Sequence, residues 1–210
     1  MAKLTELVFI LDKSGSMCGM EKDTIGGFNS FIEKSKKEDT KTLLTTFLFS
    51  NNFTILHDRV DVSKVEPLTE KDYWTGGCTA LLDTIGYAIS HIEQIHRYAR
   101  KADKPDKTIF VITTDGLENA SREYSYSLIK EMIKSKQDND KWEFLFLADN
   151  IDAAENADKI GIRRNRAANY SVKHDTGVMY DTVYKVAYCA APDMYDKNLQ
   201  DMIDEEKSKK

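Results

Sequence analysis

The chain is short of several things that would assign it to a class at once. Only three of its 210 residues are cysteine, Cys18, Cys78 and Cys189. An odd number cannot all pair within one chain, which argues against a disulfide framework and for reduced thiols in a cytoplasm. No apolar run approaches the roughly 20 residues that span a bilayer. The run in the opening MAKLTELVFILD stops at Asp12 and is too short for a secretory signal. An excess of basic charge is also missing: 30 Lys and Arg stand against 35 Asp and Glu, and a net charge of −5 gives no general attraction to nucleic acid or anionic lipid. No GK[ST] follows an apolar strand as in a P-loop, and KSGSM is not the GxSxG of a serine hydrolase. His91 and His96 share a predicted helix, but five residues apart they point about 140° away from each other and cannot form an HExxH pair. The expectation is a cytoplasmic monomer with no membrane attachment.

What is present begins with Leu7 to Met17, LVFILDKSGSM. Val8, Phe9, Ile10 and Leu11 are too few for a helix but suit a strand buried on both faces, as in a parallel sheet. Asp12, Ser14 and Ser16 follow at every second position around Gly15, so a loop leaving the sheet can turn one carboxylate and two hydroxyls toward a common point. Oxygen donors without imidazole or thiolate suit Mg2+, Mn2+ or Ca2+ rather than zinc. Taken alone, the same residues also make an ordinary turn and helix cap.

The remaining pattern alternates strands and helices. Glu21 to Glu38 carries Ile25, Phe28, Phe31 and Ile32 at helical spacing, and the Gly26-Gly27 pair within it suggests close helix-to-sheet contact. Thr42 to Ser50 and Phe53 to His57 read as strands joined by an Asn51-Asn52 turn, which makes one antiparallel edge. Val60 to Lys71 is polar and irregular. YWTGGCT, Tyr73 to Thr79, is a glycine-bearing loop before a helix from Ala80 to about Arg100. Asp106 to Thr114 is a second central strand ending at Asp115-Gly116. Ser121 is the expected cap of the next helix, followed by a strand at Trp142 to Leu147, a short helix at Asp152 to Lys159, a weaker strand at Ala167 to Val172 and a last helix at Gly177 to Ala191. The domain is expected to span residues 1–192, with 193–210 a polar, loosely docked tail. Such alternation implies a three-layer, doubly wound α/β fold: a mostly parallel sheet with one antiparallel edge strand. Ligands of such a fold sit beyond the carboxyl ends of the strands.

DKSGSM after the first strand, GGCTALLD opening a long helix and ITTDG ending a central strand together resemble the von Willebrand factor type A (vWA) domain, a Rossmann-like fold; DGLENAS and WEFLFLADNIDA are similar to small stand-alone bacterial and phage members. The resemblance covers nearly the whole chain. It implies a metal ion-dependent adhesion site formed by Asp12, Ser14, Ser16, Thr79 and Asp115, holding Mg2+ (or Mn2+ or Ca2+). An Asp or Glu from a protein partner would then complete the ion's shell, with no catalytic residue. Cys78, directly before Thr79, departs from the usual pattern and raises the question of oxidation near the site. Thr79 also suits a helix cap, and Asp83 is kept outside the site because the helix N-terminal dipole accounts for it. Two other functions compete. A strand ending in Asp12 also describes a Mg2+-dependent phosphatase of the haloacid dehalogenase type, but Ser14 stands where those enzymes carry a second aspartate as general acid. Arg163, Arg164 and Arg166 suggest nucleic-acid binding, although three arginines in a loop are commonly a solvated surface.

Overall fold

A computed structural model describes residues 4–188 and 197–209. Within these residues six strands form one sheet: β1 (Leu4–Asp12), β2 (Lys41–Phe49), β3 (Phe53–Asp61), β4 (Lys107–Thr114), β5 (Glu143–Ala148) and β6 (Ala167–Asn169), in the order β3-β2-β1-β4-β5-β6. All neighbours are parallel except β2 and β3, so the antiparallel edge lies where the Asn51-Asn52 turn puts it. β3 runs four residues beyond its expected end at His57.

Among the described residues six α-helices cover the sheet: α1 (Glu21–Ser35), α2 (Leu81–Tyr98), α3 (Tyr126–Asn139), α4 (Ala153–Lys159), α5 (Val172–Tyr188) and α6 (Leu199–Lys207). Side chains of β1 alternate between two cores, as the period of a strand requires. Leu7, Phe9 and Leu11 face α1, α5 and α6, while Val8 and Ile10 face α2, α3 and α4. Phe9 meets Phe28 and Phe31 of α1 edge-on, at 5.6 and 5.1 Å between ring centroids. Among the described residues no helix is long and apolar enough to cross a membrane.

Four differences from the sequence reading have physical causes. The glycine that matters in α1 is Gly27, and the element it lets in is a helix: a Cβ there would lie 2.3 Å from Thr176 Cγ2 and 2.6 Å from the Tyr180 ring, both on α5, whereas Gly26 has open space. Ser121 does not cap α3. That helix starts at Tyr126, where the Ser125 hydroxyl accepts the Leu128 amide, and Ser121 is engaged elsewhere. α5 begins five residues earlier than its apolar stripe suggests, because Asp149 Oδ2 accepts the Val172 amide at 3.0 Å and Asp175 accepts the Ser171 amide at 3.1 Å. Its expected end at Ala191 lies outside the described residues. Finally, the polar C-terminal stretch is not loose throughout: Asn198 caps α6, which buries Leu199, Met202 and Ile203, each worth roughly 1.5–3 kcal/mol of burial.

Candidate metal centre

β1 and β4 are neighbours at the point where the chain's winding changes direction, and the two loops leaving their carboxyl ends meet there. Asp12, the last residue of β1, is fully buried. Its Oδ1 accepts the Ser14 amide at 2.7 Å, and its Oδ2 accepts the Thr114 hydroxyl at 2.6 Å. Ser14 Oγ lies 3.1 Å from Ser16 Oγ, and Ser16 Oγ donates to Asp115 Oδ1 at 2.5 Å. Thr79 joins from a third loop: a Cβ built on Gly116 would sit 3.3 Å from Ser16 Oγ and 3.6 Å from Thr79 Oγ1, so both hydroxyls face the same glycine. The fold thus brings all five sequence-selected residues, Asp12, Ser14, Ser16, Thr79 and Asp115, to one place.

The electrostatics follow from burial without a counter-ion. Desolvation pushes the Asp12 carboxyl up to about 6, against hydrogen bonds from Thr114 and Ser14 that pull it down, with Asp115 adding like-charge repulsion. Asp115, 5% exposed, is raised by burial as well, while the Ser16 bond lowers it and Asp149 raises it further. The one lysine in the loop, Lys13, does not relieve this. Its ammonium lies 4.2 Å from the Trp74 ring centroid. Among the described residues no group of three or more His, Cys, Asp or Glu side chains is placed to hold a metal ion by itself. The donor set here is two carboxylates and three hydroxyls, a hard-oxygen set that fits Mg2+, Mn2+ or Ca2+.

A scaffold that the sequence reading did not anticipate holds these donors. Tyr73, 1% exposed, donates its phenol to the Asp12 carbonyl, and the Lys13 amide bonds Phe49 O at 2.8 Å. Gly15 N donates to Gly77 O at 2.9 Å, and Gly77, at φ +84°, is packed against the Asn51 side chain, whose Oδ1 accepts the Cys78 amide. Only glycine adopts that backbone without strain. Asn119 brackets Thr79, accepting its amide at 2.8 Å through Oδ1 and donating its own amide to Thr79 O at 3.1 Å.

The start of α2 and the 116–124 loop are clamped reciprocally. Glu118 Oε2 accepts the Leu82 amide, Ser121 Oγ accepts the Asp83 amide, and the Asp83 carboxylate accepts the amides of Arg122, Glu123 and Tyr124 at 2.8–2.9 Å. Asp83 therefore does more than favour its helix dipole, since it ties the Asp115 loop to the Thr79 helix. Residue spacing carried no signal for Asn119, Glu118 or Tyr73, because their partners lie 36 to 61 positions away.

Cys18 and Cys78 are exposed free thiols; Cys189 lies outside the described residues. The three arginines do not form one solvated patch. Arg163 and Arg164 are exposed, but Arg166 is 6% exposed with Nη2 2.9 Å from Glu143 Oε1. His91 and His96 point to Asp58 and Glu6 respectively, away from the candidate centre. A cleft of about 730 Å3 lined by Arg59, His91 and Tyr98 lies at the opposite end of α2, so the candidate centre is not part of that cavity.

Layers, strand order and the single antiparallel edge define a vWA-like, Rossmann-like α/β fold. No protein-family model matches the chain, and no curated protein matches it by sequence. Solved structures do match: proximal thread matrix protein 1 (PTMP1) from the mussel byssus, with a TM-score of 0.57 and 16% identity over 89% of this chain, and a second crystal form of it at 0.55 and 15%. This chain spans 46% of that one's length, and the likeness is one of fold.

Proposed function

We propose that the chain is a divalent-cation-dependent protein-binding module, in which Asp12, Ser14, Ser16, Thr79 and Asp115 hold Mg2+ or a similar ion and a partner protein contributes an Asp or Glu. The observation that carries this is the convergence of two buried carboxylates and three hydroxyls from three separate loops with, among the described residues, no side-chain cation to neutralise them. A divalent ion with mostly neutral hydroxyl ligands keeps enough charge to attract an anionic oxygen. The protein's part is to present those hydroxyls rigidly. Asn119 fixes Thr79, Thr114 fixes Asp12, and Tyr73 fixes the backbone between Asp12 and Ser14.

The reading assigns no catalytic group. Ser14 lies against Ser16, and a hydroxyl at that place cannot act as the carboxylic acid of a phosphatase. The test is direct Mn2+ binding to the purified protein, followed by the same measurement on Ser14→Ala with Ser16→Ala and on Thr79→Ala. One site per chain, weakened strongly in each variant while each still melts cooperatively, is the expected result. Undiminished Mn2+ binding by the variants, or turnover of phosphate esters abolished by Asp12→Asn, overturns the assignment.

A further inference from the structure

Among the described residues, most of the exposed large apolar side chains gather at the same end of the sheet as the candidate metal centre. Trp74 is 59% exposed in the loop that ends at Thr79, and Leu117, 55% exposed, is two residues past Asp115. Tyr126 and Leu128, about 41–42% exposed, open the helix that follows, and Tyr126 shares a small cavity with Leu117 beneath the Asp115 loop. Scattered exposed apolar residues need no explanation, but a group around one polar point does.

Trp74 is also held in place. Lys13, itself only 8% exposed and flanked by Asp12 and Ser14, sets its ammonium 4.2 Å from the centre of the Trp74 ring, and the backbone beside them is tied by Gly76 N to Lys13 O at 2.9 Å. Among the described residues Lys13 has no carboxylate partner, and its ammonium lies against the aromatic face. An indole fixed by a cation and left open on its solvent side loses little freedom when something packs on it, which is what makes tryptophan a frequent anchor of interfaces.

We propose that Trp74, braced by Lys13, is the specificity anchor of the partner surface. On this view the partner offers a segment whose acidic residue is immediately flanked by aliphatic or aromatic side chains, one on Trp74 and one toward Leu117. This rests on the metal-dependent reading of the same site and adds the apolar flank to it. Charge argues for the same occupant, because Lys13, held on the Trp74 ring with no carboxylate partner among the described residues, favours an acidic segment over a basic one.

The experiment separates the two claims. Mn2+ binding is measured first on wild type, Trp74→Ala and Leu117→Ser, and is expected to be equal in all three. A displayed library of random peptides with a fixed central aspartate is then selected on wild type in Mg2+ and eluted with chelator. Apolar or aromatic residues should be enriched next to the aspartate, and a synthetic peptide of that pattern should bind Trp74→Ala about tenfold or more weakly and Trp74→Phe nearly as well as wild type. Lys13→Met should weaken the same peptide. Aspartate peptides without apolar neighbours, or equal binding by Trp74→Ala, overturn the anchor and leave the metal reading standing. Absence of Mn2+ binding by the wild type, or of any chelator-eluted peptide, removes both.

Discussion

The two ends of the sheet both bury acids, and they treat them in opposite ways. At the amino end, Glu6 of β1 is fully buried between Arg59, whose Nε lies 2.6 Å from Oε1, and His96, which reaches Oε2. Arg59 is delivered by a bulge: between the pairs Leu44–Val60 and Thr46–His57 β3 has one residue more than β2, and Arg59 takes φ +49° while its amide bonds Thr45 Oγ1. Glu143 of β5, nearby in the sheet, has Arg166, although burial still outweighs the pull of Arg166, Lys107 and Arg163 and holds its carboxyl above the usual range. At the carboxyl end, Asp12 and Asp115 are also buried and have hydroxyls and amides but, among the described residues, no side-chain cation. A buried charge left unpaired is costly, and at the carboxyl pole the proposed divalent ion is what would offset that cost. The difference teaches that a buried acid is informative only together with its counter-charge.

Breaking the amino pole should have the largest effect. Arg59→Met leaves Glu6 buried with His96 alone and should cost about 3–5 kcal/mol, read by denaturant unfolding, with the same loss in Mg2+ and in chelator. A loss that depends on metal would mean that the poles are coupled.

The next contrast is in pH. With chelator present, Asp12 has a folded-state pKa of about 6 against an ordinary value of 3.8, so the stabilisation its protonated form provides is complete below the unfolded value and is lost as pH rises through about 6. That window, about pH 4 to 6, should contain a fall on the order of 3 kcal/mol attributable to this group. In Asp12→Asn the fall should shrink, leaving that variant at least as stable as wild type at neutral pH without metal. A metal-free wild type more stable than Asp12→Asn at pH 7 would contradict the burial argument.

Metal addition sharpens the comparison from the other side. Saturation at a hundredfold excess over Kd contributes about 2.7 kcal/mol, and at about 2–4 °C per kcal/mol for a chain of this size the melting temperature should rise by about 5–11 °C in the wild type and not in Asp12→Ala. The smallest effect belongs to the scaffold. Asn119→Ala removes the bracket on Thr79 and should lower Mn2+ affinity about tenfold while costing roughly 1 kcal/mol of stability. Equal affinity would show that Thr79 is held by the start of α2 alone.

Much of this was legible in residue order. Apolar runs such as Val8 to Leu11 are strands because nothing else buries both faces in so few residues, and Asp12, Ser14 and Ser16 are close together because they are close in the chain. Thr79 and Asp115 could be chosen only through a family resemblance, since nothing local says that loops 60 to 100 positions apart will touch. Tertiary structure alone decided that Asp83 reaches across to 122–124, that Gly27 admits α5, that Arg166 is buried on Glu143, and that residues 199–207 close the core as a helix. The division has a physical reason. Periodicity and turn chemistry act between neighbours in sequence, whereas the partner of a buried polar group is whichever residue packing leaves within about 3 Å, and the chain's order carries little information about that distance.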